Sequence, residues 1–222
     1  MNPLLIIDFD STFIRDETLD EIANIVSLSD GTQKRLKDKI QNITSQAMEG
    51  KIDFRQALKK RVEMLKIHKN DISDIIAILE KRVSLSFIKN KNRIRAISDR
   101  IYIISGGFKE IIIPIVKEFG IPEHNVFANE FTYNDKGFIK GINDVSQLSY
   151  SDGKIRALKT IDIKFGAYVI GDGSTDLEMK KVKSVNAFIC FTENINRLSV
   201  SSQADYIASN LDEVFQIIES SS

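Results

Sequence analysis

Hydrophobic positions along the chain follow two rhythms. Leu4-Leu5-Ile6-Ile7 is an unbroken aliphatic run, the pattern of a strand covered on both faces as in a parallel sheet. Similar runs recur at Ile101–Ile104, Ala167–Ile170 and Val185–Phe191, with helical spacing between them at Phe108–Phe119 and Lys154–Ile161. That alternation predicts an α/β fold. From about Asp16 to Phe87 no strand pattern occurs, and the sequence reads as helices broken at Ser29-Asp30-Gly31, Gly50 and His68-Lys69-Asn70. A helical insert is expected there. Asp53 with Gln56 resembles a capping box, after which Phe54, Leu58, Val62 and Leu65 recur at helical spacing. Arg61 interrupts this apolar stripe, either snorkelling to solvent or reaching into a site. Further on, Val126-Phe127-Ala128 and Phe131-Thr132-Tyr133 surround a turn at Asn134-Asp135-Lys136-Gly137, which predicts a small β-hairpin.

Composition narrows the class. The 222 residues are 42% hydrophobic and 28% charged, enough apolar material for a real core and about one domain, alone or with an inserted partner. Lys+Arg 31 balance Asp+Glu 31, so the global positive field of a nucleic-acid binder is missing and no nucleic-acid partner is expected. The basic cluster Lys89–Arg95 is read as a solvated helix face, with a polyanion patch as the alternative. Cys190 is the single cysteine and cannot form an internal disulfide, while His68 and His124 do not make a zinc site by themselves. The first apolar run lacks a preceding basic segment and is cut by Asp8 and Asp10, unlike a signal peptide. No window approaches the roughly 20 apolar residues of a membrane span. The expectation is a cytoplasmic protein without a membrane partner.

Candidate chemistry collects after the predicted strands. In Asp8-Phe9-Asp10-Ser11-Thr12, residues two apart point to one side of an extended segment, so the carboxylates repel unless a cation binds or the loop caps itself. Gly171-Asp172-Gly173-Ser174-Thr175-Asp176 is a second acidic loop, and Asp172 and Asp176 could join Asp8 around one hard cation. Oxygen ligands without histidine suggest Mg²⁺. Ser105-Gly106-Gly107, read as the opening of the Phe108–Phe119 helix, is either an anion cradle or a plain strand-to-helix turn. Lys154, just past a possible N-cap Asp152, either supplies positive charge to the same anion or is solvated. A cation site, an anion cradle and a carboxylate nucleophile are the parts of phosphoryl transfer through an aspartyl-phosphate. No Walker loop is present.

In this order, Asp8–Thr12, Ser105-Gly106, Lys154 and Gly171–Asp176 resemble the four motifs of the haloacid-dehalogenase-like phosphatases. Glu17-Thr18-Leu19-Asp20-Glu21, and Met48-Glu49-Gly50 leading to Phe54 and Arg61, are similar to the branch that acts on phosphoserine, over most of the chain. The resemblance implies a Rossmann-like core from residues 1–14 and 89–222, with a helical cap at 15–88. It implies Asp8 as nucleophile, Asp10 as acid and base, and Mg²⁺ held by Asp8, Asp10, Asp172 and Asp176. Ser105, Gly106, Lys154 and Thr175 would hold the phosphoryl group. Glu17 would meet the substrate ammonium and Arg61 its carboxylate, with Met48 and Phe54 closing over a small phosphorylated amino acid. Thr175 departs from the asparagine usual in bacterial members. The alternatives are a phosphatase or phosphotransferase for another small metabolite, with homoserine as one acceptor, and a silent binding or regulatory domain on the same fold.

Overall fold

The computed structural model describes residues 2–30, 34–48 and 51–221, with the backbone alone for residues 26–30, 34, 35, 37, 45 and 48. In chain order the strands are β1 (Leu4–Ile7), β2 (Ile101–Phe108), β3 (Val126–Asn129), β4 (Phe131–Tyr133), β5 (Ile139–Ile142), β6 (Ala167–Gly171), β7 (Val185–Phe191) and β8 (Tyr206–Ala208). The helices in the first half are α1 (Thr18–Asp30), α2 (Lys34–Met48), α3 (Phe54–Met64), α4 (Ile72–Leu79), α5 (Leu85–Lys89) and α6 (Lys91–Ala96). Those in the second half are α7 (Lys109–Lys117), α8 (Gly153–Leu158), α9 (Ser174–Met179), α10 (Leu198–Ser201) and α11 (Leu211–Ser220).

Six strands pair in parallel in the order β3-β2-β1-β6-β7-β8. The period of two sorts the aliphatic runs onto both faces of this sheet. Leu5, Ile7, Ile103, Ile170 and Ile189 join one core cluster with α7 and α11, while Ile6, Ile104, Val169 and Phe188 join a second. Burial on both sides explains why these strands read as continuous apolar runs rather than alternating ones. Under the first face Phe13 meets Phe87 at 4.7 Å and Phe119 at 5.1 Å between ring centroids, and each buried ring contributes about 1.5–3 kcal/mol.

Two expectations change. Val126–Ala128 belongs to β3 on the edge of the main sheet, and the hairpin consists of β4 and β5 around the 134–137 turn. Ser105-Gly106-Gly107 does not open a helix. β2 continues through it to Phe108, its register with β3 shifting between Ile104 and Phe108, and α7 begins at Lys109, because neither glycine takes the positive φ that would turn the chain. The helices read at 108–119 and 154–161 are correspondingly shorter.

The described residues between 15 and 88 are helical apart from short 3₁₀ turns and connections. Asp53 caps α3 by accepting the Gln56 N–H at 3.0 Å, and the Leu58, Val62 and Leu65 stripe is buried. The breaks expected at Gly31 and Gly50, and the Glu49-Gly50 part of the motif, lie outside the described residues. The two connections to the sheet meet as a short antiparallel bridge between Ile14 and Val83, with Arg15 N–H donating to Arg82 O at 2.8 Å and Ser84 N–H to Phe13 O at 2.9 Å. Lys89, Lys91 and Arg93 pair at the surface with Asp212, Glu118 and Glu219. Among the described residues no helix is long and apolar enough to cross a membrane.

Candidate active site

At the carboxyl ends of β1 and β6 the chain leaves the sheet carrying Asp8 and Asp172, the place where open α/β sheets receive ligands. The Asp8 N–H donates to Ile170 O at 2.9 Å, which fixes its backbone beside β6. The chain then folds into a tight turn closed by Ile14 N–H on Phe9 O at 3.0 Å, with Ser11 at a positive φ of 55°. This turn points Asp10 at the start of α1, where its carboxylate accepts the N–H of Thr18 at 2.9 Å and the Thr18 hydroxyl. Thr12 Oγ1 donates to Asp172 Oδ1 at 3.3 Å, tying the first loop to the second.

Asp176 reaches the same point from the first turn of α9. A Cβ on Gly171 would lie 2.4 Å from Asp176 Cγ, so only glycine lets the side chain fold back over the strand end. Lys154, on the first turn of α8, lies 2.7 Å from Asp8 Oδ1 and 2.7 Å from Asp176 Oδ1. That helix approaches closely because Gly153 carries no side chain; a Cβ there would meet Gln147 O at 2.3 Å. Asp152 does not cap it through its side chain and instead pairs with Arg156.

Burial pushes the Asp8 carboxyl above its ordinary range, with repulsion from Asp176 adding and Lys154 opposing. Asp172 and Asp176 are raised by burial in the same way. Although burial alone would lower Lys154, Asp176 and Asp8 hold it above its ordinary value. Three mutually repelling, buried carboxylates, each offering an oxygen within 4.8 Å of the others, fit a hard divalent cation such as Mg²⁺. Asp10 does not share in this group through its carboxylate, which is turned to Thr18.

A cavity of about 440 Å³ opens above these groups, with Asp8, Asp10, Lys154, Asp172, Thr175 and Gly106 on its sheet side. Ser105 lies fully buried behind Gly106 and Gly107, its Oγ accepting the Gly107 N–H at 2.9 Å. On the helical side Leu19, Thr44, Phe54, Leu58 and Arg61 complete the wall. Phe54 stands over Gly106, where an added Cβ would come within 3.4 Å of the ring. Arg61 is 8% exposed, and burial lowers its pKa against the opposing charges of Asp20, Glu17 and Asp10. Glu17 accepts the Ser11 hydroxyl at 3.0 Å, and burial, with Asp10 and Asp172 nearby, raises its pKa. The Met48 side chain falls outside the described part of the structure.

Arg197 was not anticipated. Its Nε donates to Asp172 Oδ2 at 2.8 Å and its Nη2 lies 3.4 Å from Glu17 Oε1, so one guanidinium spans both walls. No local pattern marks it, since it lies six residues past the end of β7, directly before α10. Thr44 likewise gave no motif, and Thr18, although inside the Glu17–Glu21 stretch, was given no role of its own. His68 packs edge-on to Phe138, and Cys190 is buried and free.

The haloacid dehalogenase-like hydrolase family model matches residues 5–181, which span every sheet-side group above except Arg197. "Phosphoserine phosphatase, chloroplastic" of Arabidopsis thaliana is 30% identical over 216 residues, covering 96% of this chain and 70% of that one. A phosphoserine phosphohydrolase-like protein from Francisella tularensis superposes with a TM-score of 0.79 at 29% identity, covering 98% of this chain and 100% of the other. A phosphoserine phosphatase solved as an analogue of its phospho-aspartyl intermediate superposes at 0.76 with 25% identity, covering 97% of this chain and 98% of the other. With its acid-bearing loops at one sheet end and these matches along nearly its whole length, the chain belongs to the haloacid dehalogenase-like hydrolases, in the branch of the phosphoserine phosphatases.

Proposed function

We infer that the chain hydrolyses O-phospho-L-serine to L-serine and phosphate through an aspartyl-phosphate on Asp8. The observation that carries this reading is the polarity of the cavity. Its sheet side gathers Asp8, Lys154, Asp172 and Asp176, a site for a phosphoryl group, and its helical side presents a buried arginine and a glutamate, a match for an amino acid.

An Asp8 carboxylate oxygen attacks phosphorus as the ester bond to the serine oxygen breaks. Asp10 donates a proton to that oxygen, and burial, which lifts its carboxyl above the ordinary range, favours the protonated form it needs. Serine leaves, Asp10 takes a proton from water, and the water oxygen attacks phosphorus to release phosphate and restore Asp8. Lys154 and the cavity-lining backbone at Gly106 hold the phosphoryl oxygens, with Thr175 beside them. Mg²⁺, when bound, supplies charge neutralisation on the phosphoryl oxygens; Asp8, Asp172 and Asp176 would hold it. Glu17 pairs with the substrate ammonium and Arg61 with its carboxylate, while Phe54 and Leu58 exclude water above them. Residues 15–88 act as a cap over a core of residues 1–14 and 89–222, turning at the Ile14–Val83 bridge to admit substrate. Burial of the unpaired Cys190 thiol is in keeping with a cytoplasmic setting.

The test is phosphate release from O-phospho-L-serine with and without Mg²⁺, beside p-nitrophenyl phosphate and O-phosphoethanolamine. Metal-dependent turnover that favours phosphoserine is expected. Turnover of the other two esters alone would retain the chemistry and overturn the substrate.

A further inference from the structure

Arg61 is buried, and a guanidinium held away from water needs partners to fix its direction. Its Nη1 donates to Thr44 Oγ1 at 3.1 Å. Its Nε is buried without a hydrogen-bond partner. The Thr44 hydroxyl has one proton and two acceptors in reach, Asp20 Oδ1 at 3.2 Å and Ile40 O at 3.1 Å. Whichever of these takes the proton, the oxygen lone pairs remain turned to Arg61. The three groups sit on three helices, Asp20 on α1, Thr44 on α2 and Arg61 on α3, and Thr44 is itself only 8% exposed.

We propose that Thr44, backed by Asp20, is the positioning residue that aims Arg61 at the substrate carboxylate. The inference rests on the assignment of Arg61 to that carboxylate. Nη1 is engaged by the protein, so the guanidinium cannot rotate freely. Thr44 and Arg61 both line the 440 Å³ cavity. The Asp20 carboxylate acts on Arg61 along the same line, as the largest of the charges that offset the guanidinium's burial. A valine at position 44 fills the same space without the hydroxyl, leaving Arg61 buried but unaimed.

The measurement is steady-state turnover of O-phospho-L-serine and of O-phosphoethanolamine, which keeps the amine and phosphate but lacks the carboxylate. Thr44→Val is expected to raise the phosphoserine KM about tenfold, the scale of one hydrogen bond to a charged group. It should leave kcat within about twofold and the phosphoethanolamine KM unchanged. Thr44→Ser, which restores the hydroxyl, should return the phosphoserine KM to within about twofold of the original. An unchanged phosphoserine KM in Thr44→Val, an equal rise for both esters, or no recovery in Thr44→Ser each overturns the proposal. If Thr44→Val folds poorly by thermal unfolding, Asp20→Asn carries the test. It should raise the phosphoserine KM alone, and no change there overturns the relay. Arg61→Ala separates the two levels. If it raises the phosphoserine KM and Thr44→Val does not, only the positioning role fails; if it has no effect, the carboxylate assignment fails and this role falls with it.

Discussion

The two walls of the cavity are built in different ways. On the sheet side, Asp8 and Asp172 sit at the ends of buried parallel strands, and Lys154 and Asp176 arrive from the first turns of helices whose approach depends on Gly153 and Gly171. On the helical side, Arg61 is placed by a hydrogen bond between side chains of two helices, and Glu17 by the Ser11 hydroxyl and Arg197. The sheet fixes its groups through backbone, which tolerates little movement; the helices fix theirs through side chains on a segment joined to the sheet by a short bridge. Chemistry that needs atoms held in line belongs on the first wall, and recognition that must open for the ligand belongs on the second.

The sharpest way to break this division is on the sheet side. Asp8→Asn should lower turnover of O-phospho-L-serine by at least about 10³-fold with the fold intact by circular dichroism, as expected for loss of a nucleophile. Chelation of divalent metal from the unaltered protein should remove measurable phosphate release. Residual turnover in Asp8→Asn near the original rate would take the nucleophile's role from Asp8. Lys154→Met leaves Asp8 and Asp176 facing each other in a buried site. Urea unfolding in the presence of chelator should show a loss of about 3–5 kcal/mol, the usual consequence of removing one partner from a buried charge group. A loss below about 1 kcal/mol would mean that the two acids are protonated or solvated without the lysine.

The same contrast governs what could be read from sequence. Strands covered on both faces leave continuous apolar runs, so β1, β6 and β7 were visible to within a residue, and the acids that follow them identified the sheet wall. β3 misled because an edge strand in a parallel sheet and an arm of a hairpin share one short apolar pattern; the choice is made by pairing with Ile103 and Ile104, far away in the chain. Glycine signalled a turn at Ser105-Gly106-Gly107, yet the glycines there stay extended. Arg61 announced itself by breaking an apolar stripe. Thr44 did not, since a threonine between Ile40 and Ala47 passes for one more buried helix position, and Arg197 has no local pattern at all.

On the helical wall effects should be smaller and confined to binding. Arg61→Ala should raise the phosphoserine KM by about 10- to 100-fold, the range for a charge-assisted hydrogen bond, and change kcat far less. Its effect on O-phosphoethanolamine turnover should be negligible. A loss in kcat as large as that in kcat/KM would place Arg61 in the chemistry and blur the distinction between the walls.

The smallest effect is expected at the rim, where α3 meets the loop after β5. Asp144 accepts from Arg55 Nη2 at 2.9 Å and from Lys59 Nζ at 2.8 Å, with a side chain 77% exposed. These contacts draw the helix that carries Phe54, Leu58 and Arg61 toward the sheet side. Ion pairs so open to water are weak and screened by salt. Arg55 also keeps two other holds, a hydrogen bond to the Asp144 carbonyl at 3.2 Å and the Tyr150 ring 4.2 Å from its guanidinium carbon. Asp144→Ala should therefore raise the phosphoserine KM by no more than about fivefold, and the difference from the unaltered protein should vanish in about 0.5 M NaCl. A salt-insensitive rise as large as that of Arg61→Ala would mean that the rim, rather than packing among α1, α2 and α3, sets the height of the recognition wall.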